Sequence, residues 1–310
     1  MGTMRGSEQE QQVLDRLIRW AEKQEPIRAM LLYSSRANPQ ARIDIFSDYD
    51  ILLAVTDVRR FHEDDHWLED FGKVLVVFRN PISLDHGFEC FGFVTHYRDG
   101  TKIDYGFYPV EYLTWAANES RLPDDLDNGY IVLLDKDHLT DGLKPPTFTA
   151  YLLSSPTEPE YRAVIDEFFN DSIYVAKHLW RDDLFSVKLS LDHIMKSSCL
   201  RQMLEWRMGI DNGWSVKPGA YGKGLKDRVE AEIWSALEAT YVGAEIDENW
   251  DALFRTIRLF RKVALEVADS LAYEYPQDME RQVSAYLESV RSMDQGASGF
   301  TSSPARIPPV

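Results

Sequence analysis

Residues 31–57 read LLYSSRANPQARIDIFSDYDILLAVTD, and they place Asp48 and Asp50 at the head of an apolar run. Tyr49–Thr56 is rich in Ile, Leu and Val and reads as a buried strand, while 29–33 reads as an earlier, shorter one. Strand alternation puts Asp48, Asp50, Leu52 and Ala54 on one face. The two carboxylates are then about 6–7 Å apart along the strand. Like charges at that spacing repel, so the pair is either a solvated strand entrance or the holder of something positive. A polar connection, 34–48, links the two strands and opens on the small residues Ser34 and Ser35, followed by Arg36.

A third aspartate comes from farther along the chain. In GFVTHYRDGTKIDYGFYP, residues 92–109, Asp99-Gly100 separates two aromatic and β-branched runs and predicts a hairpin with positive φ at both turn residues. Its second arm sends Thr101, Ile103 and Tyr105 one way and Lys102, Asp104 and Gly106 the other. Asp48, Asp50 and Asp104 are therefore candidate ligands of a hard cation such as Mg2+, which takes oxygen donors and completes its shell with water and phosphates. A small-residue turn after a strand, as at Ser34 and Ser35, can present N–H groups and hydroxyls to a triphosphate.

The remaining chain divides by periodicity. Residues 8–24 carry Val13, Leu14, Leu17, Ile18 and Ala21 at helical spacing, 61–71 read as a short acidic helix, 73–78 as a strand, and 126–137 hold one more strand. From 159 to 291 the pattern is helical, over 160–180, 184–208, 225–241, 248–272 and 278–291, with a loop at 209–224. The expected organisation is a mixed α+β domain over 1–145, a Pro-, Ser- and Thr-rich linker over 146–158, a helical-bundle domain over 159–292 and a disordered tail over 293–310. On α-helical spacing Glu167, Asp171, Tyr174 and His178 share one face.

The 310 residues are 44% hydrophobic and 27% charged, the composition of a globular protein. With 51 acidic against 34 basic residues, the net charge of −17 repels phosphate backbones and excludes nucleic acid as the expected partner, while it attracts small cations. No apolar run reaches the roughly 18 residues of a membrane span, and the N-terminus lacks a secretory core, so a cytoplasmic, membrane-free protein is expected. Cys90 and Cys199, far apart, read as reduced structural thiols.

The small turn, the D-x-D strand and the third Asp together resemble the nucleotidyltransferase fold related to DNA polymerase β. More closely, the chain resembles the aminoglycoside 6-adenylyltransferases. The resemblance is carried by SRANP (35–39), DIFSDYDI (44–51), RDGTKIDYGFYP (98–109), YVAKHLWRDDL (174–184), MLEWRMG (203–209), GKGLK (222–226) and LFRKVALEVADSLAYEYP (259–276). It implies Mg2+-dependent transfer of AMP from ATP to a hydroxyl of a cationic aminoglycoside, by a monomer or weak dimer. It also implies Asp48, Asp50 and Asp104 as metal-binding catalytic residues, and Ser34, Ser35, Arg36, Lys177 and Lys223 as nucleotide contacts, with Lys226 a weaker one. Glu167, in DEFFN, matches a family glutamate that would act as general base, a role Asp104 could also fill. The family usually carries Gly where this chain has Ser34. Two other readings stay open: the same transfer to a lincosamide or protein hydroxyl, and a homologue that binds nucleotide or drug without turnover.

Overall fold

The computed structural model describes residues 8–294 with 296, 297 and 299, and the chain forms two compact units, Met1–Tyr151 and Leu152–Val310. Most of the tail expected over 293–310 lies outside the described residues.

In the first unit the helix α1 (Glu8–Lys23) leads into the strand β1 (Ile27–Tyr33), a 3-10 turn at Ser34–Ala37 and β2 (Tyr49–Val55). Then follow α2 (Val58–Glu63), a 3-10 segment at His66–Phe71, β3 (Val74–Arg79), β4 (Ser83–Asp85), β5 (Phe88–Tyr97) and β6 (Lys102–Pro109). The helices α3 (Val110–Asn118) and α4 (Asp124–Asp127) and the strand β7 (Tyr130–Asp135) complete the unit. The sheet runs β3-β5-β6-β2-β1-β7, with β4 added to β5. Neighbours are antiparallel except β2 and β6, which run parallel.

Alternation gives the sheet two buried faces. Ile51, Leu53 and Val55 with Ile103, Tyr105 and Phe107 meet Leu14, Leu17 and Trp20 of α1 and Phe61 of α2. Leu52 and Ala54 pack under Tyr112, Leu113 and Ala116 of α3. The single acidic helix expected over 61–71 is instead two short pieces, because Asp64 and Asp65 sit in extended and bridging backbone between them.

The hairpin closes differently from the expected two-residue turn. Gly100 has φ +90° but Asp99 does not have positive φ, and Tyr97 N donates to Thr101 O. Asp99 uses its carboxylate to cap Thr101 N (2.9 Å), so a three-residue loop with one glycine in the left-handed region suffices.

The second unit is helical: α5 (Glu158–Trp180), α6 (Leu184–Lys188), a π-helical segment Leu189–Leu200, α7 (Arg201–Asp211), α8 (Ala231–Glu238), α9 (Ile246–Leu271) and α10 (Gln277–Arg291). The sequence TEPE starts α5 with a capping box, Thr157 N donating to Glu160 Oε2 (2.7 Å) and Glu160 N to Thr157 Oγ1. Its buried face stacks Phe168 on Phe260 of α9, ring centroids 3.7 Å apart. The helix expected over 184–208 contains a twelve-residue π segment, whose apolar spacing is too close to an α-helix to betray it. Within it Ser197 Oγ donates to Asp192 O, five residues back. The helix expected to begin at 225 begins at Ala231, after Gly222 and Gly224 adopt positive φ and Leu225–Asp227 form a 3-10 turn.

Residues of the Pro-, Ser- and Thr-rich stretch are tied down at both ends. Asp127 accepts from Thr147 N (2.8 Å) and Ala150 N (3.0 Å) in the first unit. In the second, Leu153 N donates to Val216 O and Tyr273 Oη to Pro156 O. Among the described residues no helix is long and apolar enough to cross a membrane.

Candidate active site

The parallel register of β2 and β6 sets Asp50 beside Asp104, between the pairs Tyr49–Ile103 and Ile51–Tyr105. Both face away from the aromatic core, one step beyond the part of that face where α3 covers Leu52 and Ala54. Like charges directly across a ladder are unfavourable, so this placement calls for a compensating cation. A cleft of 410 Å³ opens over them, lined by Tyr33, Asn80, Cys90 and Tyr108 as well as the two aspartates. Gly92 and Gly106 pair across β5 and β6 on the cleft floor, and a Cβ at Gly92 would lie 2.9 Å from Tyr105 O. A larger cavity of 950 Å³ in the helical unit, around Glu158, Asp269, Tyr273 and Asp278, is lined in part by the 259–276 stretch but by none of the candidate catalytic, nucleotide or metal residues.

The cation in place is Lys102. Its Nζ lies 2.5 Å from Asp48 Oδ2 and 2.9 Å from Asp104 Oδ2, and these bonds hold its pKa above the ordinary lysine value against burial, which acts to lower it. Asp50 is not reached. Burial first, then the charges of Asp104 and Asp48, push its carboxyl up to about 6, an effect moderated by the Ser34 hydroxyl and Lys102. Burial also raises Asp104 despite its bond to Lys102, and Asp104 Oδ1 is buried without a hydrogen-bond partner. Burial and the neighbouring Asp50 likewise raise the Tyr33 phenol.

The Ser34–Ala37 turn stands next to the carboxylates but is spent differently from expectation. Ser34 is in the left-handed region, φ +63°, its amide donates to Gly129 O (3.0 Å), and its hydroxyl acts to lower the Asp50 pKa. Gly129, at φ +127°, is required to be glycine, since a Cβ there would come within 2.9 Å of Ala37 O. Ser35 is half-buried in the same turn. Arg36, expected as a nucleotide contact, is committed inside the protein. It donates to Asp48 O (2.9 Å) and Ser47 O (2.7 Å), pairs with Glu10 (3.1 Å), lies over the Tyr49 ring and is 8% exposed. With its nitrogens so engaged, it clamps the backbone that presents Asp48, a role that loop-residue chemistry alone does not reveal.

Glu167, Lys177 and Lys223 belong to the helical unit. Glu167 is exposed on α5 and interacts with the buried Cys199 thiol, whose pKa rises to about 12 through burial and the charges of Glu167 and Asp171. Lys177, on the same helix, has its ammonium 5.4 Å from the Tyr174 ring centroid. Lys223 is exposed on the loop between Gly222 and Gly224, and Lys226 is held by Glu238 and Trp234.

Lys102 is the functional candidate that sequence reasoning passed over, although period-two alternation already placed it on the face of Asp104. Among the described residues no group of three or more His, Cys, Asp or Glu side chains is gathered as a metal cluster, and at the three aspartates an ammonium bridges two of them. The donor set nevertheless fits a hard divalent cation: carboxylate oxygens only, one of them an orphaned buried acceptor.

The streptomycin adenylyltransferase family model matches residues 7–290. The chain is 32% identical over 286 residues to an aminoglycoside 6-adenylyltransferase of Bacillus subtilis (strain 168), covering 91% of this chain and 97% of that one. It is 32% identical over 273 residues to another of Campylobacter jejuni, covering 86% and 91%. A crystal structure of an aminoglycoside 6-adenyltransferase from Bacillus subtilis is similar at 29% identity with a TM-score of 0.45, covering 93% of this chain and 100% of that one. The chain therefore belongs to the streptomycin adenylyltransferase family and is a nucleotidyltransferase.

Proposed function

We propose that the chain transfers AMP from ATP to a hydroxyl of a streptomycin-like aminoglycoside and releases pyrophosphate, with Mg2+ held by Asp48, Asp50 and Asp104. The observation that carries the metal-site reading is the Asp50–Asp104 pair, side by side in register with one buried oxygen unpartnered. Family membership supports the acceptor class, and the net charge of −17 suits a polycationic substrate.

When bound, Mg2+ supplies charge that neutralises the aspartates and polarises phosphate oxygens. The protein's own residues do the rest. Asp104, whose pKa burial raises, is one candidate to take the proton of the attacking hydroxyl. Glu167 is the second candidate base and would also attract ammonium or guanidinium groups. Ser34 favours the ionised form of Asp50, and Arg36 fixes Asp48 through its backbone. Ser35, Lys177 and Lys223 remain the nucleotide contacts of this reading.

The test is incubation with ATP, Mg2+ and a panel containing streptomycin, other aminoglycosides and a lincosamide, followed by mass spectrometry and pyrophosphate detection. A gain of one AMP on streptomycin is expected. No adduct on any aminoglycoside would reject the acceptor class. Asp50→Asn should reduce turnover by about 10³-fold or more while circular dichroism stays unchanged. Turnover close to wild type in that variant would remove the metal assignment.

A further inference from the structure

The ammonium of Lys102 touches Oδ2 of both Asp48 and Asp104. A divalent cation held by these carboxylates would stand beside that ammonium, and two positive charges so close disfavour each other. We propose that Lys102 is a tethered competitor for the divalent cation, setting its affinity by displacement; this rests on the metal assignment made above.

Three features support the inference. Lys102 stands two residues from Asp104 on β6, on the same face, and its backbone pairs with His96 of β5, so the ammonium is supplied permanently and at short range. Its four-carbon stem lets the head group swing away while the strand stays in place. The site is also partly open, with side-chain exposures of 23% for Lys102, 34% for Asp48 and 27% for Asp104, so the displaced ammonium has a route to water. The ion pairs that must break are solvent-touched and therefore weak enough to yield to a dication. Lys102 is thus a positioning residue: it holds Asp48 and Asp104 facing one point and gives way there.

The experiment is a Mn2+ titration without nucleotide, with free metal read by electron paramagnetic resonance. The proteins are wild type, Lys102→Met, Lys102→Arg, Asp48→Asn and the Lys102→Met/Asp48→Asn double variant, each checked by thermal melting. Lys102→Met should bind Mn2+ about fivefold more tightly than wild type, the scale of two partly exposed ion pairs. Lys102→Arg should stay within about twofold, because the charge remains. Asp48→Asn should reverse the gain in the Lys102→Met background. Binding to Lys102→Met that is absent or no tighter than wild type overturns the proposal. If Asp48→Asn still weakens wild-type binding in that case, the metal assignment stands without the Lys102 role. If Asp48→Asn changes binding in neither background, the metal assignment falls and the competitor role with it.

Discussion

Two charge clusters, one in each unit, are handled in opposite ways. In the helical unit Lys196 is 0% exposed at its side chain, yet its Nζ bonds Asp192 Oδ1 (2.7 Å) and Thr240 O (2.6 Å) and lies 4.4 Å from the Tyr241 ring centroid. Asp192 in turn reaches Lys188 (3.4 Å), which donates to Val242 O. In the sheet unit one ammonium serves two of three neighbouring aspartates, Asp50 is left with a raised pKa, and an Asp104 oxygen has no partner. A satisfied cluster joins pieces of backbone, here the π segment to residues 240–242. An unsatisfied one is maintained against its own electrostatics, and such sites are where ligands and chemistry are expected.

The largest stability effect should therefore come from the satisfied cluster. Lys196→Ala removes the buried ammonium, opens a cavity and frees Thr240 O, and should cost about 3 kcal/mol in the helical unit's unfolding transition. Lys196→Met, which keeps the volume, should recover part of that. Lys102→Ala should cost less than about 1 kcal/mol, since its pairs are partly exposed and its loss relieves no cavity. Urea denaturation of the three variants checks the contrast. Equal costs at Lys196 and Lys102 would erase the distinction between the clusters.

The second effect has the opposite sign. Asp50 is raised from 3.8 to about 6 in the folded chain, so its protonated form is favoured by folding. The stability it contributes is complete below about pH 4 and is lost as pH rises through 6, because the ionised carboxylate must then sit buried beside Asp104 and Asp48. In EDTA at pH 7, Asp50→Asn should accordingly be more stable than wild type by about 2 kcal/mol, with the gain fading between pH 6 and 4. The same substitution is the one expected to end turnover. A loss of stability at pH 7 would mean that Asp50 is a structural partner, placing it with Lys196 rather than with the site.

Much of this contrast was legible in the sequence. Alternation placed Ile103 and Tyr105 on one face and Asp104 on the other, and the D-x-D run marked β2. The capping box of TEPE that starts α5, however, reads only as linker in the sequence. What local pattern could not supply was pairing between residues distant in sequence. That β2 and β6 are parallel neighbours, with Asp50 beside Asp104, depends on a contact across 54 residues that no turn signal encodes. Lys102 was on the right face in the sequence, but only the approach of Asp48 from the other strand makes it a bridge. Arg36 misled for a related reason: an arginine after Ser-Ser reads as an anion contact until Glu10 and two carbonyls use its nitrogens. The π segment and β4 escaped because their apolar spacing resembles ordinary helix and loop.

The smallest effect concerns Ser34, where backbone and side chain can be separated. At φ +63° its Cβ crowds the following carbonyl, a strain of about 1 kcal/mol that glycine would not carry. Its hydroxyl meanwhile pulls the Asp50 carboxyl's pKa down, partly offsetting burial. Ser34→Ala keeps the strain and removes the hydroxyl, whereas Ser34→Gly removes both. Either variant should therefore move the acid limb of the pH–rate profile upward by a similar amount, since Asp50 loses a donor that favours its charged form. Only the backbone term differs between them. Ser34→Gly should be more stable than Ser34→Ala by about 0.5–1 kcal/mol, after allowing for the greater freedom of glycine in the unfolded chain. Thermal melts of the two variants measure this difference, and Ala equal to Gly would show that the turn carries no strain. An acid limb that moves in one variant and not the other would show that the hydroxyl does not act on Asp50.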